Sequence, residues 1–324
     1  MFHFGERVCA FTPDKTTEHW LQHASPDIQA KLAKVGLIAF VEQKTCGQLW
    51  DTFLKHRTDI KLTTENIYRN ARTHFFEEFS ATEPVEKITP DRLDAWRVSM
   101  LGKFKEATVA THLKTVNTVL NWAGKREWLQ KNPLSGIPKG SFRNKESKRR
   151  ITMEEYAKLL AACPNQEWRA IIALARIGGL RCPSELQQLR WSDINWQEKR
   201  FVVRLPKTEH HAGQDKRIVP LFPELRMELE RLRMESNSEC MEYVVQSYQG
   251  TIWVLYASFQ EIADSAGLGK IVSPFVNMRR SRSNEVLRKH GSQLESLWIG
   301  HSEKVMEEHY FEVDDEDFLK AVSE

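Results

Sequence analysis

From residue 45 to residue 128, apolar residues recur three and four positions apart with polar residues between them. That spacing predicts four helices and no strand. Leu49, Phe53 and Leu54 mark the first, and Ile67, Tyr68, Ala71, Phe75 and Phe76 the second. The third begins at Thr89-Pro90-Asp91, where a threonine that can cap free N–H groups precedes a proline suited to the first helical position. The fourth runs through Thr108, Val109, Leu113, Val116, Leu120 and Trp122. Asn132-Pro133, Gly136, Pro138 and Gly140 then break the pattern, so residues 43–138 are expected to form a small all-α domain. Residues 1–42 are an N-terminal extension whose one amphipathic piece, 27–40, carries Ile28, Leu32, Val35 and Leu37.

The period changes once in the remaining half. Residues 200–205 and 216–221 alternate partly, with β-branched side chains, and a polar connection containing Gly213 joins them. A hairpin with a long tip is the natural expectation. Around it the spacing is helical. A helix opens at Thr152 with Glu155 three residues on, the capping-box arrangement. Others are expected at 184–190, 223–234, 251–266, 277–289, 293–299 and 303–310. The expected fold class is therefore mainly α with a small antiparallel β-sheet, in two domains: 43–138, then a basic linker over 139–150, then 151–324.

Charge sharpens this picture through its distribution. The formal net charge of +3 is unremarkable for 324 residues, but 43–150 carries about nine excess positive charges. The segment after Tyr310 is acidic, through Glu312, Asp314, Asp315, Glu316 and Asp317. A polyanion held by one part and kept off another fits that asymmetry. Arg143, Lys145, Lys148, Arg149 and Arg150 concentrate five cations in the linker, where they could neutralise phosphates; a solvated linker is the plainer alternative. Cys9, Cys46, Cys163, Cys182 and Cys240 are odd in number and lack metal-ligand spacing, as in a reducing cytoplasm. No signal peptide is read at the start, and no run approaches the ~20 apolar residues of a membrane span.

A handful of polar residues could carry chemistry. Arg181 follows Gly178-Gly179-Leu180 and precedes Cys182-Pro183, which is expected to place it at the positive end of the helix 184–190. A guanidinium there suits a phosphate, since its fork is bidentate and always charged. The alternative is a surface arginine paired with Glu185. Lys207, at the base of the hairpin tip, could swing into a site and protonate a leaving oxygen, although taken alone it reads better as a solvated lysine. His210 and His211 are adjacent in a polar turn and are better read as turn residues than as metal ligands. Arg279 is expected to open a helix shared with Arg280, Arg282, Arg288 and Lys289, which alone reads equally well as a solvated basic face. His301 follows Gly300 with Ser302 as a helix cap, and Tyr310 comes nine positions later between His309 and Phe311, where taken alone it reads as a core tyrosine.

None of these decides alone; their order and spacing together resemble the tyrosine recombinase (phage integrase) family from residue 45 onward. The resemblance implies roles. Arg181 and Arg279 resemble the arginines that clamp the scissile phosphate, and Glu185 the acidic residue that supports the first of them. Lys207 looks like the hairpin lysine that protonates the departing 5′ oxygen, and His301 like the residue that hydrogen-bonds the phosphate. Tyr310 looks like the nucleophile that forms a 3′-phosphotyrosyl link. Such chemistry calls for no cofactor and no metal. The partner implied is double-stranded DNA, with a homo-tetramer on two DNA sites exchanging C-terminal tails through Phe311, Val313, Phe318, Leu319 and Val322. A monomer without DNA is compatible with this.

One position departs from the family's pattern. Three residues before Arg279, where the family usually has histidine, stands Val276, which cannot exchange protons. His301 or a water is the expected substitute. The departure also motivates a rival, a DNA-binding relative with weakened or lost catalysis. A type IB-like topoisomerase would use the same chemistry on one duplex, and a metal-dependent nuclease would need divalent ions.

Overall fold

The computed structural model describes residues 43–140, 148–205, 215–235, 241–249 and 252–300, with residues 14, 16, 17, 20, 24, 28, 31 and 32 of the extension. Contacts divide the chain into two units, Met1–Phe142 and Arg143–Glu324.

In the first unit the predicted helices form as α1 (Cys46–Lys55), α2 (Leu62–Phe75), α3 (Pro90–Lys103) and α4 (Glu106–Gly124). Thr89 caps α3 by accepting the Arg92 N–H, with Pro90 at the first helical position. The apolar faces meet in an aromatic core: Phe75 stacks on Phe79 at 4.5 Å, and Phe53 meets the edge of Trp122 at 5.6 Å. Such pairs add to the burial of their area because ring edges and faces carry opposite partial charge.

The second unit is built around α6 (Gln166–Arg176), whose residues 170–176 are all buried, with α5 (Met153–Ala161) alongside. Thr152 and Glu155 make the reciprocal capping box at the start of α5. A three-stranded antiparallel sheet follows in the order β1 (Ile194–Asn195), β2 (Arg200–Arg204), β3 (Lys216–Pro220). The hairpin register pairs Phe201 with Val219 and Val202 with Ile218, and two-residue β1 is an addition to the expectation. Helices α7 (Pro223–Glu235), α8 (Ile252–Ser265) and α9 (Pro274–Ile299) complete the unit. The expected helices 277–289 and 293–299 are the two arms of α9, which bends at Gly291 where φ is 83° and ψ 169°, a backbone that suits glycine.

Two expectations fail. Residues 182–188 form successive turns rather than a helix. Within them the Glu185 N–H donates to the Arg181 oxygen at 2.9 Å and the Gln187 N–H to the Pro183 oxygen at 3.0 Å; just beyond them Val244 donates to the Leu189 oxygen at 2.9 Å and Trp191 to the Glu242 oxygen at 3.1 Å. The turns keep a few local bonds without becoming a regular helix, the tertiary bonds begin at Leu189, and no helix starts beside Arg181. The basic helix does not open at Arg279, and of the two readings left open for it the solvated face does not hold at Arg279 and Arg280. It starts five residues before Arg279, and Arg279 and Arg280 are both buried.

Candidate active site

Glu185 is the centre of the site. It is 1% exposed, and an isolated carboxylate in such a place is costly unless cations surround it. Three do. Arg181 pairs with its Oε1 and donates its backbone N–H to Oε2 at 2.9 Å. The Arg217 Nη1 lies 2.8 Å from Oε2, and the Arg279 Nη1 lies 3.6 Å from the same oxygen. Burial opposes ionisation of Glu185, but the charges of Arg217, Arg279 and Arg181 and the Arg181 N–H outweigh it and hold the carboxyl below its usual range. Burial likewise lowers Arg217, to about 10, with Glu185 opposing and the other two arginines adding repulsion.

The guanidiniums also gather the end of α9. The last carbonyls of a helix have no partner within it and carry its negative partial charge. Here each of three goes to a different arginine: the Trp298 oxygen to Arg217 Nε at 2.8 Å, the Ile299 oxygen to Arg279 Nη2 at 2.6 Å, and the Gly300 oxygen to Arg181 Nη2 at 2.9 Å. Arg279 Nη1 also donates to the Gly179 oxygen at 2.5 Å. Gly179 and Gly300 both have positive φ, 63° and 80°, and both are crowded. A Cβ on Gly179 would lie 2.7 Å from the Ile299 Cδ1, and one on Gly300 would lie 2.9 Å from the Arg217 Cδ. Gly179 and Gly300 therefore leave room for the Ile299 and Arg217 side chains packed against them beside the arginines.

Three guanidiniums against one carboxylate leave two positive charges in excess at the point where the chain leaves α9 for His301. Arg217 and Arg279 side chains are 4% and 3% exposed, whereas Arg181 is 26% exposed and forms the open side. An anion arriving at Arg181 would meet a fixed positive field in surroundings of low polarity, where such a field acts strongly.

Of the residues singled out from the sequence, Arg181, Glu185 and Arg279 come together. Lys207, His301 and Tyr310 lie outside the described residues, as do Arg143 and Lys145 of the linker and the tail beyond residue 300. In the rest of the linker, Arg149 pairs with Glu155 at 2.5 Å and donates its N–H to the Asn277 side chain at 3.3 Å; Lys148 and Arg150 also lie in this unit. Val276 is 44% exposed, one helical turn before Arg279. Arg217 was missed, although the signal was available. The alternation that points Val219 inward along β3 points Arg217 inward too, and a charge on the buried face of a strand needs a partner.

The model of the phage integrase family matches residues 149–316, more than half of the chain. The chain thus belongs to the phage integrase family, the tyrosine recombinases, enzymes of DNA recombination. Among solved structures, a lambda integrase dimer bound to a COC' core site matches with a TM-score of 0.70 at 18% identity, over 93% of this chain and 87% of that one. The Tn1549 transposon integrase in complex with transposon right end DNA matches with a TM-score of 0.68 at 18% identity, over 86% and 98%. A lambda integrase tetramer bound to a Holliday junction matches with 0.68 at 17% identity, over 92% and 87%. At these identities the likeness is one of fold. No curated protein matches. Among the described residues no helix is long and apolar enough to cross a membrane.

Proposed function

We propose that this chain is a site-specific recombinase that cuts and rejoins duplex DNA through a 3′-phosphotyrosyl intermediate, in the integration or excision of a mobile element. The observation that carries the reading is the cluster of Arg181, Arg217 and Arg279 around Glu185. Its net positive charge suits the charge that builds on the non-bridging oxygens when a phosphodiester is attacked.

In this reading Arg181 receives the scissile phosphate on the open side, and the two enclosed arginines supply field from behind. The phenolic oxygen of Tyr310 attacks phosphorus as the bond to the 5′ oxygen breaks. The phenol loses its proton to His301 or to a water, and Lys207 gives one to the departing 5′ oxygen. A phenol with a pKa of about 10 needs that help near neutral pH. The phosphotyrosine conserves the energy of the broken bond, so attack by a 5′ hydroxyl of a second strand reseals the backbone. A tetramer on two DNA sites, with tails exchanged in a ring, would place the four centres for strand exchange. The integrase complexes with transposon-end DNA and with a Holliday junction support this reading by shared fold.

Exposed Val276, in place of an acid–base residue, favours a second reading: a relative that binds DNA but cleaves it slowly or not at all. A nicked duplex, which loses the short strand after cleavage and so traps the intermediate, separates the two. Covalent protein–DNA product from the wild type in chelator, and none from Tyr310→Phe, supports the recombinase. Bound duplex without covalent product supports the second reading.

A further inference from the structure

The short second arm of α9 buries a carboxylate beside Ile299 while two of its leucines face out. Leu297 is 65% exposed and Leu294 is 37% exposed, while Glu295 between them is fully buried. An apolar residue at 295 would be the cheaper choice. The bend at Gly291 folds this arm back on the first one, and two contacts bind them in antiparallel register. Ser283 donates its hydroxyl to the Glu295 Oε1 at 2.5 Å, and Arg279 Nη2 donates to the Ile299 oxygen at 2.6 Å. Ser283 follows Arg279 by four residues, and Ile299 follows Glu295 by four, so one face of each arm carries both contacts.

We infer that Glu295 is a positioning residue for the arginine cluster: clasped by Ser283, its carboxyl sets how Arg279 holds the end of α9. By gaining or losing a proton, it also sets how much positive charge the cluster offers a phosphate. The inference rests on the reading of that cluster as the phosphate site. Burial pushes the Glu295 carboxyl up to about 7, with the Ser283 hydrogen bond and the Arg279 charge opposing. Its proton is therefore exchanged near neutral pH. The charged groups on and against the two arms include Arg279, Arg280, Arg282, Glu285, Arg288 and Lys289 on the first arm, Arg217 reaching Trp298 from β3, and Arg176 from α6, which is held by Glu285. His290, at the bend, lies with its ring 5.1 Å from Trp298. Arg279 is the cation whose charge acts on Glu295. With Glu295 neutral the cluster keeps two excess positive charges; with Glu295 ionised it keeps one.

The test is the rate of covalent product on the nicked duplex for the full-length wild type and Glu295→Gln, from about pH 5.5 to about pH 8.5. Glutamine keeps the shape and cannot ionise. The variant should match the wild type in acid and exceed it by roughly three- to tenfold in alkali, with the divergence centred near neutrality. A ratio that does not change with pH would overturn the inference, since a purely structural role lowers the rate by the same factor throughout. If the wild type forms no covalent product at any pH, the recombinase reading fails instead, and urea unfolding decides the clasp. A carboxyl whose folded value is raised contributes stability below its ordinary 4.5 that is lost as pH rises through about 7. The wild-type midpoint should then fall relative to Glu295→Gln over that window. A constant difference rules out titration of Glu295 there.

Discussion

Replacing Glu185 with glutamine tests how the arginines are held. The substitution keeps an acceptor for the Arg181 N–H and removes the one negative charge at the centre. Taking an effective dielectric of about 20, the Arg217 pair at 2.8 Å is worth about 6 kcal/mol of attraction and the Arg279 pair at 3.6 Å about 5 kcal/mol. Desolvation costs several kcal/mol for each ion, so the intact cluster is close to balanced. Removing the carboxylate takes away the attraction and leaves the burial of two enclosed guanidiniums uncompensated. We therefore expect Glu185→Gln to lose about 3–5 kcal/mol, and a urea midpoint lowered by roughly 1–2 M. Amide exchange along the urea series should locate the loss to residues 143–300 and leave 43–140 unchanged. The double variant Glu185→Gln/Arg217→Met should recover part of it, because an enclosed cation goes with its partner. The wild-type contribution is present above the ordinary carboxyl value of 4.5 and disappears as pH falls through the lower folded value. A loss under about 1 kcal/mol, or strict additivity in the double variant, would refute this account of the cluster.

Two further expectations concern the approach to the site. Gly179→Ala places a methyl group 2.7 Å from the Ile299 Cδ1 at a positive φ; it should cost roughly 1–3 kcal/mol in urea unfolding and reduce covalent trapping more than duplex affinity. Val276→His adds an imidazole at an exposed position one turn from Arg279 and should be at least as active as wild type in trapping; a large loss would count against this placement of the family's pattern on the chain.

Local signals explain why much of the fold was legible in the sequence. The Thr89-Pro90 start of α3 and the Thr152–Glu155 box depend on neighbours in the chain, and both form. The hairpin register follows from alternation, which also held the unused pointer to Arg217. Segment 184–190 was read as one helix, whereas its end at Leu189 and Arg190 pairs with residues 243–244, a partner that local pattern cannot reveal. The residues alone left Arg279 open between a solvated face and a site for a related reason. Cations at helical spacing read as a wet face, and only the folded chain brings the oxygens of Gly179 and Ile299 to its guanidinium. Glu295 is the converse, a charge on the inward side of an arm whose leucines face out. Spacing alone would have called that side polar and exposed.

The central claim is that the arginine cluster around Glu185 presents a DNA phosphate to Tyr310. Digesting the covalent product formed on a nicked duplex in chelator, and identifying the peptide that carries the nucleotide by mass spectrometry, tests it most directly. The account predicts a single adduct on Tyr310, joined to a 3′ phosphate, and its disappearance in Arg181→Ala. An adduct on another residue, on a 5′ phosphate, or undiminished in Arg181→Ala would contradict it.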